Sequence, residues 1–326
     1  MNRRAMLVVS GTWLILATAR SFGQAPNAIR RIALVSPGTE KGYRSYFDAF
    51  LAAMKDLGYV DGRNVSMEVL WGDNKIEELS ARAAAVVARN PAVIVTASSA
   101  LVAAFKKATS SIPIVFATAA LPVEQGFVAS LSRPGGNITG VLLHIGLTAK
   151  IVEITREALP KVKRLAILID DNEPIHKAML EDFEPNARRL KVEPVVVRIS
   201  SAKDVERVFK ELADRKVEAL YLPSLSLLGS LRYQLVERAL KARLPLLSSN
   251  PTVVEAGGLL SYGTQQEENF RRAAALVDKI LRGAKPGDLP VEQPERFQLV
   301  VNLKTAKAIG VTLSPATMLR ADRVIE

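Results

Sequence analysis

The oxygen-bearing side chains of this chain gather just after short β-branched, apolar runs, and their chemistry is to hold charge. Ser98-Ser99 follows Val93–Thr96, Thr118 follows Ile114–Ala117, and Asp170-Asp171-Asn172 follows Arg164–Ile169. Ser36, Tyr221, Ser224, Ser249 and Tyr262 stand at or just beyond the ends of other such runs. Serine hydroxyls and the free amides of a helix start can hold a carboxylate, helped by the helix dipole. Ordinary N-capping uses the same residues. Thr118, one strand over, can share that carboxylate. An aspartate at 170 or 171 can pair with an ammonium through a charge-assisted contact. Asp-Asp-Asn before Glu-Pro is also good turn chemistry. Tyr221 and Tyr262 can stack on a ring or offer a hydroxyl, and Tyr43 or Tyr46 can wall the same region; plain packing is the alternative for each.

Bond-breaking chemistry lacks its residues. The chain has no cysteine, which excludes disulfides, zinc thiolate sites, iron–sulfur clusters and cysteine nucleophiles. Its two histidines, His144 and His176, have no i, i+4 spacing. Neither a phosphate-cradling G-x-x-x-x-G-K-[ST] loop nor a G-x-G-x-x-G after a strand occurs. Pro134-Gly135-Gly136 reads as a turn before a strand. No enzyme, cofactor or metal site is therefore expected.

The elements that must position these groups follow a βα rhythm from residue 31 onward. Strands are expected at 31–35, 65–70, 93–96, 114–117 and 138–141. The intervening helices are expected at 45–57, 76–89 and from Ser99. The pattern restarts with a helix over 148–159, ended by Pro160. Strands then fall at 164–169, 195–199, 219–222 and 246–248, with helices over 175–190, 202–214 (capped by Ser201) and 229–242. Such alternation predicts parallel strands in two doubly wound, Rossmann-like α/β halves, with a boundary near 140–148. In open α/β sheets, ligands sit beyond the carboxyl ends of strands. That rule selects the loops containing Ser36, Ser98, Thr118, Asp170, Ser224 and Ser249. A final stretch, Gly257–Asn302, reads as strand, amphipathic helix, proline-stiffened segment and strand. It returns to sheets begun much earlier, so the two halves are joined more than once.

At 326 residues the chain is long enough for two ordinary cores. Its 48% hydrophobic and 24% charged composition is that of a soluble α/β protein. The net charge of +11 is spread over helix faces, and aromatics are only 6%, so no nucleic-acid partner is expected. Arg3 and Arg4 before the apolar run Ala5–Ala19, with small residues to Ala25, read as a cleavable signal peptide over residues 1–25. An uncleaved membrane anchor is the alternative. Removing the segment leaves about +8. Export to the periplasm removes ready access to cytosolic nucleotides.

Leu57–Asn64 (LGYVDGRN), Thr109–Phe116 and Ser130–Gly140 (SLSRPGGNITG) resemble ordered blocks of a bacterial family of ABC transporter substrate-binding proteins. Gly257–Gly263, Arg271–Lys279, Asp288–Pro294, Val301–Ala308 and Arg320–Glu326 continue the resemblance over nearly the whole mature chain. It implies the type I periplasmic binding protein fold with a three-strand hinge. Lobe one would comprise 30–143 plus 265–298, and lobe two 144–263 plus 300–326. The crossings would lie near 140–145, 261–265 and 297–301. Members have been linked to uptake of aromatic amino acids. Many relatives carry Asp-Pro-Val where this chain has Leu121-Pro122-Val123, which leaves room for a different, less polar ligand.

The expected function is that of a monomeric periplasmic receptor. It would close on a small ligand, an amino acid or related carboxylate, and present it to an ABC permease in the inner membrane. A receptor of the same fold read by a membrane sensor is the alternative, and a hydrolase or isomerase lacks its residues.

Overall fold

The computed structural model describes residues 29–75, 78–143, 147–173, 175–294 and 296–326. The expected signal segment, His144 and the first crossing's residues 144–145 lie outside them.

The first half is a five-stranded parallel sheet in the order β2-β1-β3-β4-β5. Its strands are β1 (Arg30–Ser36), β2 (Val65–Trp71), β3 (Val93–Thr96), β4 (Ile114–Ala119) and β5 (Ile138–Leu142). Period-two alternation sorts its residues onto two faces. Ile32, Leu34, Val93, Val95, Val115 and Ala117 enter the core beneath α1 (Glu40–Asp56). Ala33, Val35, Ile94, Ile114 and Phe116 enter the opposite core, beneath α2 (Leu79–Ala88) and α3 (Ser99–Ala108). Both faces are covered, as the β-branched runs require. The helix α1 starts five residues before its expected beginning, because Thr39 caps it by accepting from the Gly42 amide at 3.2 Å.

The second half is a seven-stranded sheet in the order β12-β11-β10-β9-β8-β6-β7. It comprises α4 (Thr148–Ala158), β6 (Arg164–Asp170), α5 (His176–Arg189), β7 (Glu193–Ile199), α6 (Val205–Asp214), β8 (Ala219–Leu222) and α7 (Ser226–Lys241). There follow β9 (Leu246–Ser248), the short α8 (Pro251–Glu255) and β10 (Leu260–Thr264). Ser201 caps a short 3-10 turn before α6 by a reciprocal bond set with Asp204. The helix α8 went unread in the sequence, being only five residues long.

The chain then changes halves. The helix α9 (Gln266–Leu281) leaves β10 and packs on α1 and β4 of the five-stranded half. Its buried residues pair up one turn apart: Asn269-Phe270, Ala273-Ala274, Leu276-Val277 and Ile280-Leu281. The proline-stiffened segment runs along β5, where the Glu292 amide donates to Gly140 O at 2.9 Å and Glu292 O accepts from Leu142 at 2.8 Å. Then β11 (Phe297–Asn302) returns to pair antiparallel with β10, Tyr262 opposite Leu299. The chain finishes with α10 (Leu303–Ile309), α11 (Pro315–Arg320) and β12 (Arg323–Ile325), which lies parallel to β11.

Candidate functional site

A cavity of about 520 Å³, counted out to its open mouth, lies between the two halves at the carboxyl ends of their strands. From the five-stranded half come Ser98 and Ser99 after β3 and Thr118 at the end of β4. From the seven-stranded half come Glu173 after β6, Ser224 to Ser226 after β8 and Asn250 after β9. Tyr43 and Tyr46 of α1 and Gln266 and Phe270 of α9 supply further wall.

The α3 end of the cavity is built to meet an anion. Ser98 is extended, with φ −159° and ψ 151°, and its Oγ accepts from the Leu101 amide at 3.1 Å. Ser99 Oγ accepts from the Ala120 amide at 3.2 Å. Each hydroxyl therefore keeps its hydrogen to donate. Thr118 Oγ1 instead donates to Ala97 O at 3.1 Å, which leaves it an acceptor. The first amides of α3 have no carbonyl one turn back to bond, and the helix dipole favours negative charge there.

Glu173 gives the cavity its negative pole. The residue is 7% exposed, and burial pushes its carboxyl up to about 7, the neighbouring Asp170 charge adding to the rise. The Ser226 hydroxyl partly offsets this. No described lysine or arginine forms a salt bridge with it. A buried carboxylate without a cation is costly, so the site is primed for a ligand cation. The sequence reading stopped one residue short, at Asn172. The signal lay in view: a third acidic residue in the same post-strand loop.

The walls are aromatic. Tyr46 stacks on Phe270 with centroids 5.6 Å apart and planes at 24°, and Tyr43 meets Tyr46 edge-on at 5.7 Å. Burial raises the phenols of Tyr43 and Tyr46, so both stay neutral. Tyr46 also ties the halves together: its hydroxyl lies 3.1 Å from Thr252 Oγ1 and accepts from Asn250 Nδ2 at 2.9 Å. Gln266 Nε2 donates to Ser224 Oγ at 3.0 Å. Arg232 of α7 is buried and donates to Gly42 O at 3.0 Å and Lys41 O at 3.1 Å, both on α1. These bonds bridge the two halves beside the cavity.

Of the residues singled out in the sequence, Ser98, Ser99, Thr118, Ser224, Tyr43 and Tyr46 line this cavity. The others are placed around it. Asp170 is buried, its carboxyl raised by burial, and it accepts from the Asn172 amide at 3.0 Å and from Asn172 Nδ2 at 2.9 Å. It braces the loop that carries Glu173. Asp171 points outward and pairs with Arg198 at 2.5 Å. Ser36 bonds within its own turn to Gly38. Ser249 Oγ accepts from the Ser224 amide at 2.9 Å and so positions a lining residue. Tyr221 is 1% exposed in the core, where burial pushes its phenol up to about 12. Tyr262 stacks on Phe297 at 5.9 Å, across the β10–β11 pair.

Two α/β sheets with a polar cavity between them, linked by chain segments that pass from one half to the other, are the architecture of the type I periplasmic binding proteins. The chain belongs to the ABC transporter substrate-binding protein family, whose sequence model matches residues 32–325. It is 27% identical to a tyrosine-binding protein of Clostridioides difficile over 262 residues, 80% of this chain and 75% of that one. A Vibrio cholerae conserved domain protein superposes with a TM-score of 0.84 at 25% identity, over 91% of this chain and 100% of that one. A Streptococcus pneumoniae ABC domain solved in complex with L-Trp superposes with a TM-score of 0.83 at 22% identity, with the same coverage. The family is one of substrate-binding proteins, not enzymes.

Proposed function

We propose that the chain is an exported, monomeric solute receptor that closes on a zwitterionic amino acid with an apolar or aromatic side chain and delivers it to an ABC permease. The observation that carries this reading is one cavity with two opposite poles. The α3 start, with Ser98 and Ser99, takes the carboxylate, and the buried Glu173, without a salt bridge among the described residues, takes the ammonium. Tyr46 and Phe270 flank the space left for the side chain. The tyrosine-binding relative fits the same class of ligand. In this reading residues 30–143 with 265–298 form one lobe, and 144–263 with 300–326 the other. The strands between them act as the hinge, and Arg232 and Tyr46 act as its latches.

The test is a thermal-shift series with L-tyrosine, L-tryptophan and L-leucine beside tyramine and 3-(4-hydroxyphenyl)propionate. A ligand that binds only the folded state at a hundred times its Kd adds about 2.7 kcal/mol of stability. At least one amino acid should raise the melting temperature, and neither half-molecule should match it. Replacing Ser98 and Ser99 together by alanine should weaken binding at least tenfold. Unchanged affinity in that double variant would sink the carboxylate assignment.

A further inference from the structure

We infer a second small-ligand site, for an oxyanion, in the polar cleft where β10 passes into α9 beside the entry to β11. The cleft encloses about 930 Å³ out to its open mouth, more than the first cavity, and shares no lining residue with it. Its walls come from the two segments that change halves. Gln265 and Asn269 stand on one side and Arg296 and Gln298 on the other, with Arg272 reaching in from α9.

The donors there outnumber their partners. Asn269 is 1% exposed, and its Nδ2 is buried with no hydrogen-bond partner. An orphaned buried amide of this kind is costly unless something accepts from it. Asn269 lies in the first turn of α9, a helix of 16 residues whose cap residue, Gln265, makes no side-chain capping bond. The first turn, which also carries Glu267 and Glu268, lines the cleft through Glu268 and Asn269 without a side-chain cap. Arg272 lies 3.6 Å from Glu268 and 3.5 Å from Glu292, too far for strong bonds to either. Glu268 also faces Arg271 at 3.5 Å. Arg296 forms no described salt bridge. Among the described lining residues, Arg272 and Arg296 stand against the single carboxylate of Glu268. An oxyanion would supply the acceptor that Asn269 lacks and pair with the two guanidinium groups. Gln265 Nε2 already donates to Gln298 Oε1 at 2.8 Å across the same gap, so the ligand would tie the two segments more firmly.

Free phosphate and small dicarboxylates share this chemistry, so the mature chain should be titrated with inorganic phosphate and, separately, with succinate. Calorimetry is done at ionic strength matched with sodium chloride. At least one probe should bind, and the stronger of the two names the source. The Arg272→Gln, Arg296→Gln double variant should bind it at least tenfold more weakly. Asn269→Asp keeps the side chain's shape but turns its donor into a repelling charge, and it should bind as weakly. Both variants should keep their response to the amino acid of the first cavity, which shows that they fold. Absence of binding by both probes, or equal binding in the folded variants, would overturn the proposal.

Discussion

Replacing Glu173 by glutamine should make the unliganded protein more stable while destroying its amino-acid binding. The carboxyl titrates near 4.5 when unfolded and is pushed up to about 7 in the fold, chiefly by burial. A raised carboxyl means that the native state holds the proton more tightly than the unfolded chain does. Below about pH 4.5 both states are protonated and Glu173 costs nothing. As pH rises towards 7 the unfolded chain ionises freely and the native state does so at a cost, so stability is lost across that window. Above 7 the loss is complete. A difference of about 2.5 pH units corresponds to about 3 kcal/mol. Glutamine carries no such cost. Urea denaturation should give Glu173→Gln an advantage below about 1 kcal/mol at pH 5, growing to about 3 kcal/mol at pH 8. An advantage equal at both pH values, or a variant less stable at pH 8, would refute burial of an ionisable, cation-free Glu173. The ligand's ammonium should repay this cost in the wild type alone, so the amino-acid thermal shift should vanish in the variant.

Closure can be tested apart from ligand contact. Arg232→Met leaves the Lys41 and Gly42 carbonyls without their charged donor and should cost the closed form about 2 kcal/mol, roughly 30-fold in ligand affinity, read by calorimetry. Unchanged affinity would remove Arg232 from the latch. A Cβ at Gly38 would fall 2.2 Å from Ser230 Oγ of α7 and 2.7 Å from the Tyr43 ring. Gly38→Ala should therefore hold the halves apart, enlarging the ligand-bound radius of gyration in small-angle scattering and costing about 1–3 kcal/mol of binding.

The sequence carried what is local and lost what is long-range. Strands read true because a parallel sheet covered on both faces demands continuous β-branched runs, and Ser98 was legible because a cap is decided within three residues. Asp170 and Asp171 show the limit. They look alike in sequence, yet the period of two along and beyond β6 turns one inward to brace the loop and the other outward to Arg198. Arg232 was invisible for a different reason. An arginine on a helix looks solvated, and its acceptor is a carbonyl 190 residues away.

Leu121 joins the two scales. It adopts φ 46°, a left-handed conformation that suits aspartate or asparagine better than leucine. No helix follows for a capping aspartate to serve; residues 122–127 form turns and bends instead. The leucine side chain packs against the hydrophobic core of the seven-stranded half, together with Ala120 and Leu143. A backbone built for a polar residue thus carries an apolar contact between the halves. The loop's own bonds hold that conformation, the Gln125 amide donating to Leu121 O at 2.9 Å and Gln125 Nε2 to Ala120 O at 2.7 Å. Leu121 therefore joins Arg232 and Tyr46 among the residues that bridge the two halves. In the proposed reading the ligand's chemical poles lie elsewhere, with Ser98, Ser99 and Glu173 of the cavity lining.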